Sequence, residues 1–281
     1  MRTQALKTQS YKTGGTFRRL ILCLLLSTLI LFISAHLREK WGLPPVFSLS
    51  PRQSPAPQTT LAPVREESYS SRDITVSGRT WYALQLGAFT QENAAQQLSQ
   101  EFIPRGAAGY VCADEKIYRV YAAAYPTRAE AQSVQNRLNE QGVSTYIQIC
   151  NENAFMLRAG GNDTQLAAVS DIFSYLDTLS MKFYALSVSL DKNELSMAAA
   201  QEALLSEAAT CRSLSATLAR TFSEDIPASA RALCVLLESI AASCEISQNS
   251  KSAARTGAAL KSSQFTVIFG LQDLSAALMS P

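Results

Sequence analysis

The chain has 281 residues and a single histidine, His36. That scarcity excludes a Ser-His-Asp triad, a Cys-His dyad and any zinc site built on several histidines. Cysteine is sparse too: six residues, with no CxxC pair and no zinc-knuckle spacing. Tryptophan occurs twice, as Trp41 and Trp81. Charged residues make up only 17%, against 47% hydrophobic residues. The net charge of +2 is low for a binder of nucleic acid. Residues 1–19 contain no acid at all.

The charges that are present are unevenly spread. Residues 1–78 carry 10 basic and 4 acidic side chains, residues 79–150 carry 6 and 6, and residues 151–281 carry 9 and 13. Three chemistries in sequence point to a modular chain.

The one long apolar run is Leu20 to Leu37. Eighteen residues at a rise of ~1.5 Å span roughly 27 Å, close to the hydrocarbon thickness of a bilayer. Arg18 and Arg19 precede it, with Arg2, Lys7 and Lys12 upstream, and Trp41 follows as an interfacial anchor. The charge bias predicts a basic cytoplasmic tail over 1–19, a transmembrane helix over 20–37 and an extracytoplasmic remainder. A cleaved signal peptide ending at Ala35 is the competing reading; bulky Ile33 argues against it. Residues 38–78 hold six of the ten prolines amid Ser, Thr, Gln and Arg, the composition of a disordered tether. Its span would be roughly 35 Å as a coil and over ~100 Å extended.

Residues 79–150 have a βαββαβ rhythm. Trp81 to Phe89 alternates as a strand. Gln91 to Phe102 follows with helical spacing, placing Ala94, Ala95, Leu98 and Phe102 on one side. Strand candidates lie at 109–112, 118–124 and 143–149, and a second helix at 127–140 presents Ala131, Val134 and Leu138. This is the order of a ferredoxin-like sheet with both helices on one face. WYALQLGAFTQENAAQQL and IYRVYAAAYPTRAEAQSV echo one another, as two pseudo-symmetric halves would.

The segment resembles the SPOR domain, through Tyr82-Ala-Leu-Gln-Leu-Gly-Ala-Phe89, Asn93-Ala94-Ala95, Tyr118-Arg-Val120 and Glu130-Ala131. It departs from the family where Gly-Pro-Phe is usual and Ala123-Ala124-Tyr125 stands. The resemblance implies binding to peptidoglycan glycan strands that lack stem peptides, and through them recruitment to a division or sporulation septum. The overall plan is similar, in architecture alone, to that of stage II sporulation protein B.

Strand parity predicts that Tyr82, Leu84, Leu86, Ala88, Val111, Tyr118, Val120 and Ala122 face the helices. The opposite face then gathers Gln85, Tyr110, Arg119, Tyr121, Tyr146 and Gln148, the candidate glycan-binding residues. Tyrosine rings offer flat apolar surface to sugars, and Gln and Arg hydrogen-bond hydroxyls and N-acetyl groups. The resemblance itself places Gln85 and Arg119 at family binding positions. A strand order of 4-1-3-2 sets Cys112 and Cys150 on opposite edges, about 14 Å apart at ~4.8 Å per strand, too far for a disulfide.

Residues 151–281 read as an all-α bundle of three or four helices, near 164–188, 193–222, 227–246 and 250–278. Asp191 or Asn193 is the expected cap of the second, and Pro227 opens the third. Gly257 or Gly270 is a candidate break in the last. Phe265 to Leu271 is too short to span a membrane and reads as core. A disulfide from Cys211 to Cys234 or Cys244 stays open beside buried free thiols. No catalytic constellation, metal set or cofactor motif stands out.

The expectation is a single-pass anchored, non-enzymatic wall-binding protein whose helical domain meets a septal protein partner. The alternatives are a wall hydrolase with catalysis in 151–281, and an RNA-binding module of the same topology. The first lacks His and Trp after residue 81, and the second lacks a basic surface and cytoplasmic access.

Overall fold

The computed structural model describes residues 69–222 and 226–279. The expected basic tail, the membrane span at 20–37 and the linker up to residue 68 lie outside the described residues. Among those described, no helix is long and apolar enough to cross a membrane.

The described residues open with strand β1 (Ser70–Val76), then β2 (Arg79–Phe89), α1 (Glu92–Phe102), β3 (Tyr110–Asp114), β4 (Ile117–Tyr125), α2 (Arg128–Glu140) and β5 (Tyr146–Glu152). Strand β6 (Phe155–Gly161) leads into α3 (Asp163–Asp191), α4 (Met197–Thr221), α5 (Ala228–Glu245) and α6 (Ala253–Met279). A four-stranded antiparallel sheet has the order β3-β4-β2-β5, the expected 4-1-3-2 arrangement read from its other edge. Helices α1 and α2 cover one face. Thr127 caps α2, accepting from the Glu130 amide at 3.2 Å, and Gly142 ends it with φ of 78°.

Two elements fall where composition predicted none. Residues 70–76, read as linker, form β1, and β6 lies in the region read as all-α. They pair along their whole length as a separate two-stranded ribbon. The reason is local alternation downstream of the last linker proline: Ile74 and Val76 are buried while Asp73 and Thr75 are exposed. Ile74, Val76 and Phe155 enter the core of the helices, where Phe155 meets Phe173 edge-on at 5.8 Å. The four-stranded domain is therefore inserted between two strands that belong to the helical body.

The four helices after β6 match the expected set, with different ends. Asn162 and Gln165 form a reciprocal capping box at the start of α3. Ser196, rather than Asp191 or Asn193, caps α4, accepting from the Ala199 amide at 3.1 Å. Pro227 sits at the cap position of α5. Helix α6 runs unbroken through Gly257 and Gly270. Its buried residues serve two cores: Leu260, Val267, Leu271 and Leu274 pack in the bundle, and Phe265 and Ile268 pack on the sheet. Cys112, Cys150, Cys211, Cys234 and Cys244 are free thiols.

Candidate functional site

The six candidate residues do share one sheet face, opposite α1 and α2. Cross-strand partners in a sheet lie on the same face. Gln85 pairs with Tyr121 on one side and Tyr146 on the other; Tyr110 also pairs with Tyr121, and Gln148 pairs with Ala83. Irregularities in the β2–β4 register at Gln85 leave Leu86 and Ala122 without direct partners. This has a consequence for parity. Ala88, expected toward the helices, pairs instead with Arg119 and is exposed. The same shift turns Ala123 toward the helices and Ala124 away from them, with Ala124 beside Ala83.

The Arg119 guanidinium donates to Gln85 Oε1 at 3.2 Å and pairs with Asp114 Oδ2 at 3.4 Å. The first bond aims the amide and the guanidinium at the same patch. Tyr146 is 66% exposed and Gln148 is also exposed. These residues form an accessible rim along β5 and the lower part of β4.

The aromatic half of the face is largely covered, with Tyr110 half-buried and Tyr121 buried. Tyr121 is 3% exposed and Gln85 8%. Helix α6 lays Phe265 and Phe269 over the tyrosines: ring centroids are 5.3 Å apart for Tyr121–Phe265, 5.5 Å for Tyr110–Phe265 and 5.6 Å for Tyr110–Phe269. These are offset-stacking distances. The expectation that Tyr110 and Tyr121 lie open for sugar is thus corrected: the helical region predicted to stand apart covers them. Burial, assisted by Cys112 and Asp273, pushes the Tyr110 phenol up to about 12. Burial, then Cys150 and Cys112, raises that of Tyr121 as well. Both remain neutral at physiological pH.

Trp81, Phe265, Phe269 and Glu152 were not among the candidates. Trp81 is fully buried on this face, 6.0 Å from the Tyr184 ring of α3. Its indole donates to Glu152 Oε1 at 2.8 Å. The Arg79 guanidinium lies 3.4 Å from Glu152 Oε2 and donates to Asp177 O and Ser180 Oγ of α3 at 3.0 and 3.1 Å. Burial raises the Glu152 carboxyl pKa, while Ser180, Trp81 and Arg79 pull it down. The signal for Trp81 was its parity with Ala83 and Gln85. That for α6 was the i, i+4 spacing of Phe265 and Phe269.

On the helix side the packing is thinner. Ala122, Ala123, Leu84, Val134 and Leu138 line a cleft of about 700 Å³ between α1, α2 and the end of α3. Among the described residues no cluster of His, Cys, Asp or Glu could hold a metal ion. What the rim offers is non-covalent: one exposed tyrosine ring, one guanidinium and the exposed Gln148 amide, suited to hydroxyl and carbonyl groups on a flat polar ligand.

A family model for the SPOR domain matches residues 78–148. No curated protein and no solved structure gives a significant match. The matched range spans three strands of the sheet and the first three residues of β5, both of its helices and all six face residues, and excludes the ribbon and the bundle. A peptidoglycan-binding domain, not a catalytic one, therefore occupies the centre of this chain, which is a SPOR-domain protein.

Proposed function

We propose that the chain is a membrane-anchored, non-enzymatic protein that recognises glycan strands stripped of stem peptides at a division or sporulation septum. Leu20 to Leu37 is the anchor, with the N-terminus in the cytoplasm and the tether carrying the rest into the wall. The helical body presents its outer surface to a septal protein.

The observation that carries the reading is the Arg119–Gln85 pair at 3.2 Å within a SPOR sheet, flanked by exposed Tyr146 and Gln148. A glycan strand without peptides is a ribbon of flat rings edged with hydroxyls and N-acetyl carbonyls. The Tyr146 ring supplies a stacking surface, and Arg119 and Gln148 supply donors.

The test is co-sedimentation of the full chain, purified in detergent, with sacculi used intact or after amidase treatment. The reading expects stronger pelleting with treated sacculi, and its loss in Arg119→Ala and Gln85→Ala. Equal pelleting by both preparations contradicts recognition of stripped glycan.

A further inference from the structure

We infer that the helical body is a displaceable cap on the glycan face, so that the aromatic half of that face opens when glycan binds. The inference rests on the wall-binding reading above and adds to it a closed and an open state.

The cap is built along one stripe of α6. Lys261, Gln264, Phe265, Ile268, Phe269 and Gln272 follow at helical spacing, and the stripe meets the sheet and, at its Lys261 end, the connection before β3. Lys261 Nζ donates to Gly106 O at 3.0 Å, Gln264 Nε2 to Ala124 O at 3.4 Å, and Gln272 Nε2 to Asn151 O. Phe265 and Phe269 stack on Tyr110 and Tyr121 between them. The phenylalanines thus occupy the flat apolar surfaces that a sugar ring would use. One surface cannot hold both.

The contact has the chemistry of a separable interface rather than of a permanent core. Lys261 is buried and shared between Gly106 and Asp191. Gln264 is 1% exposed, and its Oε1 has no hydrogen-bond partner. Glu152 is buried with a raised carboxyl pKa. Each of these groups gains water when the surfaces part, which offsets part of the apolar contact that is lost.

The chain also provides the pivot. Within the described residues, two covalent links join the sheet domain to the helical body: Ser77-Gly78 between β1 and β2, and Asn153-Ala154 between β5 and β6. All four residues are exposed and outside both ladders. They lie side by side, since a Cβ on Gly78 would come within 2.8 Å of the Ala154 nitrogen. Three hydrogen bonds tie the pivot to α3 and part when it turns: from the Ser77 amide to Asp177 Oδ1 at 3.2 Å, and from Arg79 to Asp177 O and Ser180 Oγ at 3.0 and 3.1 Å. Rotation about such a paired hinge swings the helices off the face without breaking either the sheet or the bundle. Exposed Tyr146 and Gln148 on the rim make first contact while the cap is shut.

Trp81 is a built-in reporter, because it is buried between the sheet and α3 and α6. The Trp41→Phe full chain, which retains one indole, is titrated with soluble glycan strands freed of stem peptides. The cap predicts that Trp81 emission shifts to the red as glycan binds, saturating with the binding curve. It also predicts that Phe269→Asp tightens apparent glycan binding about tenfold, because less of the population is held closed. Binding by Phe269→Asp with none by the parent chain is the same result in its extreme form. If Phe269→Asp does not fold, the emission change in the parent chain decides alone. Glycan binding with no change in Trp81 emission overturns the cap and leaves the wall reading intact. No binding by either chain overturns the wall reading and the cap with it.

Discussion

The two faces of the four-stranded sheet are packed in opposite styles. Toward α1 and α2 it presents Ala122, Ala123 and Leu84, and the facing helices answer with Ala131, Val134 and Leu138 around a cleft. Toward α3 and α6 it presents Trp81, Tyr110 and Tyr121, and the helices answer with Tyr184, Phe265 and Phe269. The face that a lone βαββαβ domain would leave to solvent or ligand is the better-filled one. Aromatic side chains bury large areas. A sheet that carries them on its uncovered side is under pressure to cover them, by ligand or by its own chain. Here the chain supplies the cover.

Truncation of Trp81 gives the largest expected effect on that contrast. Trp81→Ala empties a fully buried site and strips Glu152 of its indole donor, and should cost about 3–5 kcal/mol in urea unfolding. Leu138→Ala, half-buried on the helix side, should cost clearly less; the reverse order breaks the comparison. A sharper pair is Ala124 and Ala123, adjacent in β4 but on opposite faces. Ala124→Val should lose about 1–3 kcal/mol through overpacking against the bundle. Ala123→Val points into the cleft and should stay within about 0.5 kcal/mol. Equal losses would mean that both faces are equally tight.

Glu152 adds a pH dependence. Burial holds its carboxyl pKa above the ordinary glutamate value in the folded chain. The folded state therefore keeps the proton where the unfolded state has released it. The contribution of this group to stability is full below the ordinary glutamate pKa and is lost as pH rises through the folded value. Glu152→Gln should flatten that slope in unfolding curves taken on the acid side of neutrality; an unchanged slope would place its origin elsewhere. The smallest effect on folding belongs to the rim. Tyr146→Ala should leave stability within about 0.5 kcal/mol while weakening pelleting with amidase-treated sacculi. Undiminished pelleting removes Tyr146 from the site.

Much of this was legible in the chain. Alternation and helical spacing located the four sheet strands, both covering helices and the four helices of the bundle. Tyr82 to Phe89 carried the family resemblance that the match over 78–148 bears out. Parity put all six face residues on one side. It failed at Ala88, where a register shift at Gln85 inserts unpaired residues; alternation counts residues and cannot see a bulge. The ribbon escaped because Ile74 and Val76 lie at the end of a proline-rich stretch and pair with a strand some 80 residues on. The covered face escaped for a related reason. Phe265 and Phe269 were readable as buried, but spacing within a helix does not say what it is buried against.

The central claim is that the aromatic sheet face is sealed by the chain's own helices in the absence of ligand. Acrylamide quenching of Trp81 in the ligand-free Trp41→Phe chain tests it directly. The account predicts blue-shifted emission and strong protection from quencher, both lost in urea. Red emission with free quenching in the folded protein would contradict it and would leave the face open, as a separate SPOR domain would have it.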